Sequence, residues 1–364
     1  MEHKIEFIES VGLISVFVLV LLSFFLFTVH TKNKLSNRLF AIYLLVIAFD
    51  LIGLFTSKTL EYPAVHYVKI ASSLLQLPLF YLYVLSTCYS NFKVRTKHCV
   101  HFLLFIVFLF IFYVSKLSET SVLLYEIVGE IQYVFYMVSV FMVLKKYRTV
   151  YLENYSNANF LIYKWLFQIT VLFCVGHLFV LTKLLFSFYF NQDYIIDINI
   201  VISLSVLSIT IFFVLKALYQ PQLFTGININ LDPVDSFLKN KTKSPPVKET
   251  ELDSQNLNRL ITVMNDKKPY LDFDLTLQKL AVQTDIPEKE LSILINQHLG
   301  KHFYDFVNEY RINDAKKLLK DTSQNELTVL EILYKVGFNS KSSFYTAFKK
   351  STDQTPTQFR KSTA

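Results

Sequence analysis

Val336-Gly-Phe-Asn-Ser-Lys-Ser-Ser-Phe-Tyr-Thr-Ala-Phe-Lys-Lys350, closed by Gln354-Thr-Pro-Thr-Gln-Phe-Arg360, decides how the C-terminal part of this chain folds. An amphipathic run from Val329 to Val336 meets Gly337-Phe338-Asn339, and a second run follows from Ser342 to Lys350. Gly337 falls where the backbone must leave one helix and turn sharply into the next, a position at which a positive φ is easy only for glycine. Phe338 and Phe344 are then placed to fill the space between the two helices, and the Ser340 hydroxyl is placed to cap the second. Two short helices joined in this way make a helix-turn-helix.

Upstream, the periodicity from Asn256 onward is helical almost throughout. Leu257, Leu260, Ile261 and Met264 form one stripe, ended near Lys267-Lys268-Pro269 because proline cannot continue a helix. Leu277, Leu280 and Ala281 form a second, and Leu291, Leu294 and Ile295 a third after Pro287. A longer run from Tyr304 to Leu319 directs Phe306, Val307, Tyr310, Ala315, Leu318 and Leu319 to a core. The expected tail, residues 256 to 364, is therefore two helix-turn-helix units in tandem, at about 275–300 and 328–350, joined by a helix at about 304–320.

The first half has a different chemistry. The chain is 52% hydrophobic with 35 Phe and 22 Tyr, against 7 Gly and 18% charged residues, which is extreme for a soluble protein. Residues 11–29, 39–56, 65–90, 99–115, 122–144, 165–190 and 195–215 are each apolar over roughly 17 to 25 residues, the length that crosses a hydrocarbon core. The expected fold class is all-α: a polytopic bundle of about seven membrane spans in residues 1–218, then a tandem helix-turn-helix domain. Between them, residues 219–255 hold Pro221, Pro233, Pro245, Pro246 and a basic stretch from Lys239 to Lys248, and read as a cytoplasmic linker.

Basic residues in short loops set orientation. Lys32, Lys34 and Arg38 follow the first expected span, Lys93, Arg95 and Lys97 the third, and Lys145, Lys146, Arg148 and Lys164 the fifth. The alternate loops carry only Lys58 and Lys116, with no cation between 187 and 195. The N-terminus is expected outside and the tail in the cytoplasm, in a multi-pass protein of the inner (cytoplasmic) membrane. The first span lacks an N-terminal basic cluster and a small-residue cleavage site, so it is read as retained.

The tail resembles the AraC/XylS type of bacterial DNA-binding domain. In its second half Ile332, Tyr334, Val336-Gly337-Phe338, Ser343-Phe344, Phe348-Lys349-Lys350, Thr355-Pro356 and Phe359-Arg360 follow that family's signature in order and spacing. In its first half Leu280-Ala281, Ile286, Leu291-Ser292, Gly300, Phe303, Tyr310-Arg311 and Ala315 to Leu319 do so. Pro287 replaces a usual Ser, Leu333 a usual Ala, Asp353 a usual Gly and Thr346 a frequent Arg. The resemblance implies that both units enter successive major-groove segments of double-stranded DNA.

Lys341, Ser342, Tyr345 and Thr346 are the candidates for base contacts from the second unit, with Lys349, Lys350, Arg360 and Lys361 for phosphates. Lys289, Ser292 and Asn296 are the candidates from the first. Residues 328–361 hold six cations against Glu331 and Asp353, whereas 275–300 hold Lys279 and Lys289 against three acids. Phosphate neutralisation dominates nonspecific affinity, so the second unit is expected to supply most of the grip. For any one of these residues the bland alternative is a solvated surface side chain.

Ionisable groups inside apolar spans are costly and so suggest function. Asp50, Glu126, Glu130, His177 and Lys183 fall in the outer half of the expected bilayer, with Gln76 beside Pro78 near a kink. They are candidate residues for sensing a small molecule or a proton; interhelical hydrogen bonding or snorkelling is the structural alternative. Cys88, Cys99 and Cys174 have neither metal nor disulfide spacing. Without a phosphate loop, zinc helix or kinase signature, neither an enzyme nor a cofactor or metal is expected. The combined expectation is a membrane-tethered transcription regulator, with a homodimer as a further expectation because paired tails gain effective concentration on paired sites. The alternatives are a tail released by cleavage within 219–255, and a membrane receptor or transporter whose tail is a protein-interaction module.

Overall fold

The structure is a computed structural model, describing residues 2–31, 33–52, 62–89, 91–157, 160–189, 192–225, 251–321 and 327–363. Every described element is helical, apart from an isolated bridge between Tyr155 and Thr276. The chain divides into two compact units. One comprises 1–145 with 161–237, the other 146–160 with 238–364.

In the first unit the helices are α1 (Glu2–Thr28), α2 (Lys34–Leu51), α3 (Pro63–Ser72), α4 (Gln76–Cys88), α5 (Leu103–Ser115), α6 (Glu119–Asn154), α7 (Leu161–Tyr189), α8 (Gln192–Tyr219) and the single turn α9 (Gln222–Thr225). Helix α6 contributes its last residues, from Lys146, to the second unit. Among the described residues six helical stretches are long and apolar enough to cross a membrane: Glu2–Thr28, Pro63–Cys88, Thr96–Ser115, Glu119–Asn154, Leu161–Lys183 and Ile196–Tyr219. The stretch expected at 39–56 begins as α2, which carries Lys34, Arg38 and Asp50 within 18 residues and is not among the six; residues 53–56 lie outside those described. Most of the expected linker, 226–250, also lies outside them.

Aromatic packing builds the interior of this unit. Phe40 stacks on Tyr83 at 4.5 Å, and Phe80, Phe173, Phe213 and Trp165 surround that pair. The one polar end in the cluster is satisfied, because Trp165 Nε1 donates to Tyr83 Oη at 2.9 Å. The outer faces are apolar too: Phe17 is 67% exposed and Phe110 69%.

The stretch from Pro63 to Cys88 is interrupted next to Gln76 and Pro78. Proline has no N–H for the carbonyl four residues back, Leu74. A tight turn at Ser73–Leu75 separates α3 from α4 there, and the Leu74 carbonyl accepts instead from Gln132 Nε2 of α6 at 3.1 Å. Tyr125 Oη of the same helix donates to Ile70 O at 3.1 Å. Beside Gln76, where a kink is expected, the structure has this turn, with its carbonyls tied to α6.

The second unit continues with α10 (Glu251–Asp266), α11 (Leu277–Thr284), α12 (Glu288–Ile293, extended by a wider turn at Leu294–His298), α13 (Phe303–Lys320), α14 (Val329–Lys335), α15 (Lys341–Thr352) and α16 (Pro356–Thr363). Helix α13 is shared by two cores. Phe303, Phe306 and Val307 pack with Leu260, Met264, Leu277, Leu280, Leu291 and Ile295, while Ile312, Ala315 and Leu319 pack with Ile332, Leu333, Phe338, Phe344 and Phe348.

Candidate nucleic-acid interface

The second helix pair is set by caps at its ends and a glycine at its corner. Thr328 Oγ1 accepts from Glu331 N at 3.2 Å while Glu331 Oε2 accepts from Thr328 N at 2.7 Å, a reciprocal box that starts α14. Gly337 has φ +89°, and a Cβ there would stand 2.4 Å from Tyr270 O. The glycine therefore serves both the turn and a close backbone approach. Phe338 and Phe344 meet at 5.2 Å between the helices, as the sequence predicts. Ser340 occupies the capping position of α15, but its hydroxyl bonds the Ser342 hydroxyl at 3.1 Å and makes no cap, a correction to the expected role. Asp353 closes α15 in the left-handed region at φ 56°, doing there what glycine usually does.

Burial of Phe344 and Phe348 turns the opposite side of α15 outward. Lys341, Ser342, Thr346, Lys349 and Lys350 are exposed, and Tyr345 is half-buried with the Lys341 ammonium 5.5 Å from its ring centre. Lys350 Nζ also donates to Asp305 Oδ1 of α13 at 2.7 Å, a partner not evident from sequence. On α16 Lys361 is exposed and Arg360 half-buried. In the first pair, Lys289 is exposed on α12, and Asn296 Nδ2 donates to Ser292 Oγ at 3.2 Å one turn away, so these two share a face. Glu288 and Glu290 flank Lys289 and are exposed. This leaves the cationic surface on the second pair.

Sequence reasoning gave no role to the most buried cation of the unit. Arg311 of α13 is 1% exposed. Its Nε donates to Tyr270 O at 2.7 Å and its Nη2 to Asp272 O at 2.8 Å, on the segment entering the first pair. Its guanidinium carbon lies 5.4 Å from the ring centre of Phe338, in the turn of the second pair. Burial pulls the guanidinium down to about 10, so it stays charged near neutrality and needs these acceptors. Ser156 and Asn308 supply the rest: the Ser156 carbonyl accepts from Arg311 Nη1 at 3.0 Å and its hydroxyl from Arg311 Nη2 at 3.1 Å, and Asn308 Oδ1 accepts from Arg311 Nη1 at 3.2 Å. Beside it, burial and the Glu288 carboxylate push the Tyr155 phenol up.

Of the polar residues singled out in the first unit, the structure brings some together in two groups. Gln76 Nε2 donates to Asp50 Oδ2 at 3.2 Å, and Lys69 Nζ lies 3.6 Å from Asp50 Oδ1. His177 Nε2 and Glu130 Oε2 are 2.9 Å apart, with the His177 ring stacked on Tyr133 at 3.6 Å. Glu126 and Lys183 are half-buried. Lys69 and Tyr133 were not anticipated; each is a partner supplied by helix packing.

Residues 280–362 match the family of helix-turn-helix domains. The HTH-type transcriptional regulator GlxA of Rhizobium meliloti (strain 1021) is 30% identical over 102 residues, 28% of this chain and 31% of that protein. An uncharacterized HTH-type transcriptional regulator in the cgkA 5' region of Pseudoalteromonas carrageenovora is 29% identical over 131 residues, 36% of this chain and 72% of that protein. A solved protein of unknown function from Listeria innocua shares 30% identity over 30% of this chain and 96% of its own, at a TM-score of 0.26. The tail is thus a helix-turn-helix domain similar to those of proteins named as transcriptional regulators. Those names agree with the expectation that the chain is not an enzyme. The chain spans about a third of the length of the Rhizobium relative.

Proposed function

We propose that this chain is a membrane-embedded transcription regulator of the AraC/XylS type that reads double-stranded DNA with its tail under control of a signal received in its helical bundle. The observation that carries this reading is the presence, in one polypeptide, of a helix-turn-helix domain at 280–362 and six helices long and apolar enough to span a bilayer. A bundle with exposed Phe17 and Phe110 needs an apolar surrounding, and lipid provides it. In this reading the protein sits in the inner membrane with its N-terminus outside and its tail in the cytoplasm. Helix α15 lies in the major groove, with Lys341, Ser342, Tyr345 and Thr346 toward bases and Lys349, Lys350, Arg360 and Lys361 toward phosphates. A homodimer would place two tails on paired sites. The groups at Asp50–Lys69–Gln76 and Glu130–His177 are the proposed receivers of a small molecule or proton.

The test is retention of sheared genomic DNA by the full-length protein in nanodiscs across a salt series, with sequencing of what is retained. Enrichment of particular sites with a steep salt slope supports the reading. Retention that is absent or independent of salt sinks it and favours a receptor or transporter with a protein-interaction tail.

A further inference from the structure

A segment that lies between α6 and α7 in sequence belongs to the helix-turn-helix unit. Residues 146–160, the end of α6 and the turn after it, pack in the same unit as 238–364. Tyr151 stacks on Tyr155 at 4.8 Å, and Tyr155 pairs antiparallel with Thr276, the residue whose hydroxyl caps α11.

Ser156, next in the chain, is 1% exposed and uses every polar atom it has. Its N–H and hydroxyl both donate to Leu275 O, at 3.2 and 2.7 Å. Its carbonyl accepts from Arg311 Nη1 and, at 3.4 Å, from Asn308 Nδ2, while its hydroxyl accepts from Arg311 Nη2. A loop that merely rested on a surface would leave these groups to water. The same guanidinium holds Tyr270 and Asp272 ahead of the first pair and faces Phe338 in the turn of the second. Ser156, with Asn308, therefore completes the shell of a side chain that touches both the segment ahead of the first pair and the turn of the second.

The position of the loop gives the contact a direction. The Tyr155 phenol is within electrostatic reach of Glu288, the first residue of α12. A helix-turn-helix presents the N-terminal residues of its second helix to base edges. The loop is thus fixed by Tyr155 to the residue that caps the first helix of the first pair, with the charge at the start of the second helix acting on the same phenol.

We propose that residues Tyr155–Ser156 are an intramolecular strap that competes with DNA for the first helix pair, so that the bundle releases the tail through the end of α6. This inference rests on the DNA-reading function proposed above. In the strapped state the second pair alone grips DNA; when α6 draws the strap away, Arg311 loses Ser156 and the first pair is free to enter the groove.

The experiment uses the full-length protein in nanodiscs carrying Tyr155→Cys and Thr276→Cys. Antiparallel partners have Cα atoms about 4.5–5.5 Å apart, within disulfide range, so mild oxidation should lock the strap. Binding of a fluorescein-labelled, mixed-sequence DNA duplex long enough to cover both pairs is then read by anisotropy for oxidised and reduced protein, with wild type under both conditions as the control for the native cysteines. Ser156→Arg, which cannot seat in the buried site, is measured alongside. Support is a locked form that binds at least about tenfold more weakly than the reduced form, the scale of losing a few phosphate contacts, with Ser156→Arg binding at least as tightly as the reduced form. Equal binding by locked and reduced protein, or failure of the disulfide to form, overturns the strap while leaving DNA reading intact. If no form binds the duplex, Ser156→Arg included, the DNA-reading function itself fails and the strap with it. The reduced double variant serves as the folding control should Ser156→Arg be unstable.

Discussion

Replacing Gly337 by alanine should loosen the second helix pair more than Gly300→Ala loosens the first, and the gap measures a specific contact. Both glycines have positive φ, +89° and +64°. An L-residue pays about 1–2 kcal/mol in the left-handed region, so this cost falls on both variants. Around Gly300 a new Cβ meets nothing within 4 Å. At Gly337 it would stand 2.4 Å from Tyr270 O and 2.9 Å from Leu271 Cα and O, all backbone atoms held by neighbouring structure. Tyr270 O cannot retreat freely because it accepts from buried Arg311 at 2.7 Å. Forced displacement of a packed neighbour costs about 1–3 kcal/mol more. Gly300→Ala should therefore cost about 1–2 kcal/mol and Gly337→Ala about 2–5 kcal/mol. The sole tryptophan, Trp165, lies in the other unit and does not report this change. Amide hydrogen exchange does, read across α14 and α15 for Gly337→Ala and across the end of α12 and the start of α13 for Gly300→Ala, with every 1.4 kcal/mol appearing as a tenfold faster opening. Equal acceleration in the two variants would show that the turn, not the approach to Tyr270, is what the glycine serves.

Thr328→Ala should cost about 0.5–2 kcal/mol of local stability by removing the capping box, seen as faster exchange in the first turn of α14, with Thr328→Ser largely restoring it. Lys349→Ala and Lys361→Ala should each reduce the salt slope of DNA binding by about one, and an unchanged slope would remove that residue from the phosphate contacts. Burial pushes the Asp314 carboxyl up, but hydrogen bonds from Tyr270 and Lys317 and the charges of Lys317 and Lys268 outweigh it and hold it below the usual range. A depressed carboxyl contributes stability that is full above its unfolded value, about 3.9, and is lost as pH falls through the lower folded value. Asp314→Asn should accordingly flatten the loss of α13 exchange protection below about pH 4, and an unaltered acid profile would refute the assignment.

The tail was legible because its punctuation is local. Pro269, Gly337, Asp353 and Pro356 mark corners that backbone geometry restricts to few residue types, and Phe338, Phe344 and Phe348 fall at spacings that only a helix pair buries together. Where a polar atom had a choice of partner, the reading was weaker. Ser340 was read as a cap from its position alone, but a serine hydroxyl also bonds another serine two residues on, and does so here with Ser342. The sequence makes Lys350 a candidate phosphate contact but does not show that Asp305 on a separate helix comes within 2.7 Å of it. An exposed pair of this kind contributes little energy, so it does not bar Lys350 from DNA; it lowers what Lys350 would add.

Hydropathy marks apolar stretches by length and leaves their interruptions to context. The break before Pro78 could be placed from sequence because proline removes a donor at a known distance, but nothing in the sequence names Gln132 as the group that takes up the freed Leu74 carbonyl. The Ser156 contact is invisible for the same reason. It joins one loop residue to the backbone of Leu275 and to Arg311, 119 and 155 positions away, and backbone acceptors carry no side-chain signature. In the proposed regulator a signal would have two routes of different legibility: the proline-rich connection after α9, obvious from composition, and the end of α6, apparent only from what Ser156 touches. The end of α6 contacts the arginine that joins the segment ahead of the first pair to the turn of the second, and in the strap proposal that contact is what would change how the pairs fit a groove.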